Sequence, residues 1–217
     1  QKVSSIGLFI INSFLFVTCS AINYLSPTPK QPQCQSKGIR NPLYPYYKTV
    51  ELQKYGKNIW ISQMPFIFEG MQFGIRMIII LLDDEKKNVL IYSPIHLTKT
   101  TLDKIQNEYK WNIKYLIAPN SIHHLFLKEW IDQFPDCIVI APPNLKERRK
   151  DIKFDHVLDI DINNSSWNVM DIPHELNTTY SNIMQFMVIK TGIFHEEIVI
   201  LHKESKTLIL SLIHISE

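Results

Sequence analysis

Runs of apolar residues predict a β-hairpin near the start of the folded part of the chain. Residues 73–82 form an almost continuous β-branched run, which is typical of a strand covered on both faces. A charged turn at 83–88 separates this run from a second apolar strand at 89–92. Residues 58–63 predict one further strand before the hairpin, so we expect the folded domain to start near Val50.

From residue 89 to residue 150, predicted strands alternate with predicted helices. Ser93 and Pro94 end one strand, and either Thr98 or Thr100 can cap the helix that follows. The later elements are a strand at 113–118, a helix at 124–134, a strand at 137–141 and a short basic helix ending at 150. This alternation predicts a layered βαβ sheet and therefore an α/β fold.

Beyond residue 150 the pattern changes to isolated strands. Predicted strands lie at 157–162 and 184–190, and 197–202 pairs with 207–212 as a hairpin. Residues 163–182 are rich in Asn, Ser and Thr, and they predict an irregular excursion.

The N-terminal 25 residues have the pattern of a targeting segment. Lys2 precedes an apolar run at 6–17 and a small-residue triplet at 19–21, which is typical of a signal peptide. Residues 6–25 also just reach the length that a membrane anchor needs, and another targeting segment or a buried helix stays open. We therefore expect the secretory pathway, membrane anchoring or organelle targeting. Residues 26–49 are rich in proline and predict a linker.

Composition excludes several functions. The 217 residues are 45% hydrophobic and 20% charged with a net charge of +2, so a globular domain is expected and nucleic-acid binding is not. The three cysteines match no zinc or redox spacing. The sequence has no Gly-x-Ser-x-Gly elbow and no glycine-rich phosphate loop.

The strongest chemical signal is a pair of adjacent histidines where a strand gives way to a helix. His123 and His124 can both face one metal because the backbone there is not yet helical. We therefore predict Asn120, His123 and His124 as catalytic residues, with Asn120 orienting the others. Two alternatives stay open. The histidines could bond the strand ends without a metal, or they could belong to a metal-free active site.

The order of elements and several short motifs resemble the metallo-β-lactamase fold. More closely, residues 50–210 look like the metallo-β-lactamase-like proteins grouped as domain of unknown function 4336. The most specific parts are the His-His-Leu segment at 123–125 and a hairpin with His202, Ser205 and Thr207. Further matching pieces are Asn58-Ile59-Trp60, Gly74-Ile75-Arg76-Met77, Tyr92-Ser93-Pro94, Ala118-Pro119-Asn120 and Phe134-Pro135.

This resemblance implies an αββα sandwich, of which the chain holds the first half and an incomplete second half. It also implies a metal-dependent hydrolase acting on a small molecule of unknown identity. Zinc or another divalent metal would be the cofactor, with His123, His124 and His202 as ligands and Glu197 as a further partner.

The departures from the family pattern are as informative as the matches. Aligned on His124, the family's His-x-His-x-Asp-His turn would carry Pro119 and Ser121 at its first two histidines and His123 at its aspartate. Ser93 stands where the family has an aspartate. We therefore expect a degenerate metal site, and the alternative is a non-catalytic binding or structural module that holds no metal.

The C-terminal tail defines the last expected boundary. Residues 211–217 resemble translated sequencing-adapter sequence, so His214 is expected to carry no function. The predicted organisation is a targeting segment at 1–25, a linker at 26–49, the domain at 50–210 and a non-native tail at 211–217. A truncated product without function is a third possibility.

Overall fold

The computed structural model describes residues 50–68, 71–160, 169–191 and 195–211. The predicted targeting segment, the predicted linker and His214 lie outside these residues. Of the helices that the structure describes, none is long and apolar enough to cross a membrane. In chain order the elements are β1 (Val50–Gly56), β2 (Ile59–Phe68), β3 (Met71–Asp83), β4 (Asn88–Tyr92), α1 (Lys99–Asp103, continued by a π-helical turn at Lys104–Glu108), β5 (Asn112–Ile117), α2 (Leu127–Gln133), β6 (Ile138–Ala141), α3 (Pro143–Arg148), β7 (His156–Val157), β8 (Asp159–Ile160), β9 (Val169–Met170), α4 (His174–Asn177), β10 (Met184–Thr191), β11 (His195–His202) and β12 (Thr207–Ile209).

A mixed sheet carries the first part of the domain. Within the described residues its strand order is β1-β2-β3-β4-β5-β6-β7. The strands β1 to β4 pair antiparallel, and β4 to β7 pair parallel. The predicted hairpin and βαβ alternation are therefore confirmed, while β1 was not predicted from the sequence.

A second sheet, β10-β11-β12, packs face to face against the first. The shared core alternates along each strand, as a half-buried pleat requires. It includes Leu90, Tyr92, Tyr115, Ile117 and Ile140 from the first sheet, and Phe186, Val188, Ile198, Ile200 and Ile209 from the second.

The first sheet is buried on its other face as well. Ile79, Ile91 and Leu116 are fully buried and alternate with the residues of the shared core. On that face the Trp60 ring contacts Tyr109, which follows the helical segment after α1. These contacts give the described part of the chain a helix–sheet–sheet order, and this is why β3, β4 and β5 lack polar alternation.

Two element boundaries differ from expectation for local reasons. Helix α2 begins at Leu127 instead of residue 124, because the Asn120 side chain bonds the backbone of the preceding turn. The strand predicted at 157–162 is divided, since β7 joins the first sheet and β8 pairs with β9. Thr98 caps α1 by accepting the Thr101 N–H, as one of the two alternatives predicted.

Candidate functional site

The candidate site lies where the parallel strands β4 and β5 end. The Ser93 N–H donates to the Ile117 carbonyl, at 2.9 Å, so the two strand ends are fixed beside each other. The Ala118 N–H donates to the Ile140 carbonyl of β6, at 3.0 Å. Residues 93–96 and 119–124 therefore share one edge of the sheet, which is the edge where open α/β sheets bind ligands.

Asn120 shapes the turn that carries the two histidines. Its side-chain oxygen accepts the N–H groups of Ile122 and His123, both at 2.9 Å. Its amide nitrogen donates to the Ser211 hydroxyl at 2.6 Å, and the residue is fully buried. Both polar atoms of Asn120 are thus already bonded within the protein, and the side chain orients the turn through the backbone.

Glu197 joins this turn to the second sheet. One carboxylate oxygen accepts the backbone N–H of Ser211 at 2.5 Å and its hydroxyl at 2.8 Å. The next residue, Ile198, donates its N–H to the Pro119 carbonyl at 2.8 Å. The buried Tyr92 hydroxyl donates to the Ile198 carbonyl at 2.7 Å. Glu197 is therefore a structural acceptor at the join between the sheets.

His123 faces the end of β4. Its Nδ1 atom lies 3.4 Å from the Ser93 hydroxyl, and its side chain is half-buried. Ser93 is 3% exposed and has a φ of 55°, the left-handed region that serine rarely adopts. Ser93 was not among the predicted site residues, although it precedes Pro94 at a strand end.

His124 points instead toward the end of α3. An Arg149 Nη1 atom lies 2.9 Å from its Nδ1 atom and also donates to the His124 carbonyl at 3.4 Å. Because a guanidinium can only donate, Nδ1 must be the unprotonated acceptor of the ring. Asp151 holds Arg149 from the other side through two bonds of 2.8 and 2.7 Å.

The electrostatics of this contact keep His124 neutral. Burial, followed by the positive charges of Arg149 and Arg148, lowers its pKa from 6.5 to about 4. Arg148 lies close because its guanidinium donates to the Ser121 carbonyl at 3.1 Å. In the sequence both arginines are only part of a basic helix, because no local pattern links them to residues 25 or more positions earlier.

His202 lies at the other end of the second sheet. It is five residues beyond Glu197 on β11, a separation of about 17 Å along a strand. The hairpin that follows it contacts the β1–β2 turn, where the Asn58 amide donates to Glu204 at 3.2 Å. The structure therefore brings Asn120, His123 and His124 together but does not bring His202 to them, so the three predicted metal ligands do not share a site.

His96 supplies a further side chain at the site edge. Its Nδ1 atom lies 2.9 Å from a Glu129 carboxylate oxygen, which also accepts the Leu97 N–H at 3.1 Å. The imidazole ring packs at 5.9 Å from the Phe126 ring. The Glu129 carboxylate therefore fixes the orientation of the His96 ring.

The donors at this edge do not fit a metal ion. The only lone pair of neutral His124 that could bind a metal already accepts from Arg149. A cation would also lie close to the positive charges of two guanidinium groups. Across the four described segments, no three His, Cys, Asp or Glu side chains are grouped so that they could hold one metal ion.

Comparisons with known proteins identify the fold. The chain is similar to a metallo-β-lactamase from Hirschia baltica, at 14% identity over 74% of this chain and 70% of that chain, with a TM-score of 0.54. It is also similar to the DIM-1 metallo-β-lactamase exposed to ceftazidime, at 9% identity over 75% and 69%, with a TM-score of 0.53. It is similar as well to the metallo-β-lactamase FIM-1 from Pseudomonas aeruginosa in its mono-zinc form, at 11% identity over 70% of this chain and 63% of that chain, with a TM-score of 0.50.

These similarities show an α/β fold of the metallo-β-lactamase type. No protein-family model and no curated protein matches the chain. The closer resemblance to the domain of unknown function 4336 therefore stays a prediction. At 9–14% identity these similarities show the fold alone.

Proposed function

We propose that this chain is a metal-independent binding module on a metallo-β-lactamase-like scaffold. The observation that carries this proposal is the contact between Arg149 and Nδ1 of His124, at 2.9 Å. His124 is the one residue that the aligned family turn retains as a ligand. A guanidinium that bonds its lone pair competes directly with a metal ion.

Arg149 also holds the turn after β5 in place, as a bound metal could do. Through His124 it ties the turn after β5 to the end of α3, and Asp151 balances its charge. A metal ion near this position would meet a repulsion of about 4 kcal/mol per pair of unit charges at 4 Å. The turn is therefore held by a side-chain cation in place of a bound one.

The surface left for a ligand is the polar edge beside this cross-link. His96 and His123 are half-buried at the ends of β4 and β5, beside the buried Ser93, and the neighbouring Ile122 is 47% exposed. Hydrogen-bonding groups next to an exposed apolar side chain suit a small molecule with both polar and apolar parts. On this proposal, the ligand contacts His123, and His124 stays bonded to Arg149.

Metal analysis of the full-length chain tests this proposal. Three proteins are compared by elemental analysis after purification and after incubation with zinc: wild type, His123→Ala/His124→Ala, and His156→Ala/His174→Ala. The last pair lies outside the turn and serves as the matched control. We expect no stoichiometric zinc, manganese or iron at the turn, and therefore equal metal contents in all three.

Near-stoichiometric metal in wild type and control, lost in the turn variant, would contradict the proposal. It would instead support the degenerate metal-dependent hydrolase that the resemblance implies. Equal stability of wild type with and without a chelator would agree with a turn held by Arg149.

A further inference from the structure

Ser93 combines a strained backbone with burial. The other described non-glycine residues with positive φ are Asn58, Lys87, Lys110, Asp171 and Lys206, all partly or fully exposed. Ser93 alone among these residues of the described chain is buried, at 3% exposure. Its position is unusual for a second reason, because a residue that precedes proline is normally extended.

This conformation is strained and persists only where the surroundings enforce it. Here the Ser93 N–H bonds the Ile117 carbonyl, so the strand ends hold the backbone in place. As a consequence the hydroxyl is directed at the turn after β5, where Nδ1 of His123 lies 3.4 Å away. Asn120 fixes the backbone of His123 from the other side.

A serine hydroxyl becomes a useful nucleophile only when a neighbouring base can take its proton. The separation of 3.4 Å is longer than an ideal hydrogen bond, but such contacts commonly tighten when a substrate binds. The pair stands at the ligand-binding edge of the sheet and involves neither His124 nor Arg149.

We propose that Ser93 is an acyl-accepting nucleophile and that His123 is its general base. This inference rests on the metal-independent site proposed above. The substrate class is a small ester, which a serine–imidazole pair can attack without a metal. Because Ser93 is 3% exposed, a bulky acyl group would not reach its hydroxyl. The wider chemistry of the family, which uses a metal-bound water, is not involved.

The reaction needs only the ester and water. The Ser93 hydroxyl proton moves to Nδ1 of His123 while the oxygen forms a bond to the acyl carbon. The bond from that carbon to the leaving oxygen breaks, and His123 returns the proton to the leaving alkoxide. Water then attacks the acyl-serine by the same route, which releases the acid and restores the serine.

Covalent labelling of the full-length protein tests the assignment. A small alkyl fluorophosphonate is used as the probe, because serine displaces its fluoride and keeps a stable phosphorus–oxygen bond. Intact mass and peptide mapping should show one adduct, on Ser93. His123→Gln should slow labelling by about 100-fold or more, the usual contribution of a general base.

The Ser93→Gly variant removes the hydroxyl without disturbing the backbone, so a loss of labelling cannot be attributed to misfolding. Glycine accepts a φ of 55° at no steric cost, so this variant should fold at least as well as wild type and should take no label. Ser181→Ala is the matched serine control and should label at the wild-type rate. Wild type that takes no label, or takes it on another serine, would overturn the inference.

A chelator separates the two proposals. Labelling of Ser93 that is unchanged by chelation supports the nucleophile and the metal independence of the site. Absent labelling in a protein shown to be metal-free would reject the nucleophile and leave the binding module standing. If the chelator removes a stoichiometric metal and labelling is lost with it, the metal-independent binding module is rejected.

Discussion

His124, which is half-buried, and His202, which is buried, lie at opposite ends of the sandwich and have different kinds of partner. For both, burial is the largest cause that lowers the pKa. Nδ1 of His124 accepts from Arg149, 25 positions away, whereas Nδ1 of His202 contacts the Ser205 hydroxyl at 2.7 Å within its own hairpin. His124 therefore joins two elements, and His202 closes one turn.

The contrast shows that the structural role of each histidine depends on the side chain that contacts its Nδ1 atom. The Arg149 guanidinium carries a positive charge and links His124 to the end of α3. A serine brings only a local bond, and the Nε2 atom of His202 stays buried without a hydrogen-bond partner in the described structure. Variants that change the neighbour should therefore affect the two regions unequally.

The largest effect is expected from Arg149→Met. The variant leaves Nδ1 of His124 unpaired and removes both bonds to Asp151, so we expect a loss of about 2 kcal/mol in the free energy of unfolding. Urea denaturation measures it. Lys150→Met removes the adjacent exposed charge and serves as the control, and equal losses in both variants would show that the cross-link contributes nothing.

A smaller effect is expected from acid. The His124 pKa is about 4 in the folded chain and 6.5 unfolded, so the unfolded state binds the proton first as the pH falls. Stability should be full above pH 6.5 and should decline toward pH 4, by about 1–2 kcal/mol once partial exposure of the ring is allowed for. The lowered pKa of His202 acts in the same direction.

Denaturation curves of wild type and His124→Gln across pH 4–7 separate the two histidines. The variant should lose part of the pH dependence and keep the remainder. An unchanged slope would show that His124 takes up its proton as easily in the folded chain as in the unfolded one.

The smallest effect is expected at the hairpin. Ser205→Ala removes the hydroxyl that contacts both His202 and Thr207, and a neutral hydrogen bond contributes about 1 kcal/mol. Thermal unfolding beside Thr179→Ala, an exposed control, measures the change. A loss larger than that of Arg149→Met would reverse the comparison between the two regions.

The sequence predicted the strands and helices well because their cause is local. The apolar runs around Ile79, Ile91 and Leu116 are pleats buried on both faces, and such runs are visible in the sequence itself. The turn at Asn120 was also predictable, because an amide side chain directly after a strand favours a turn.

The partners of the site were not predictable in the same way. Arg149 sits in a run of charged residues that is typical of a solvated helix, and only the packing of α3 beside the turn brings it to His124. The placement of His202 was recoverable in part. Its distance along β11 from Glu197 already separates it from any group bonded to Glu197.

The central claim is that the Nδ1 lone pair of His124 belongs to Arg149 and not to a metal. Nitrogen-15 NMR of the histidine rings in the full-length chain tests it directly, with zinc added to one equivalent. The account predicts a neutral His124 ring with Nδ1 as the unprotonated acceptor at pH 7, and no change in its shifts when zinc is added. A protonated Nδ1, or a His124 signal that moves to a metal-bound position with stoichiometric zinc, would contradict it.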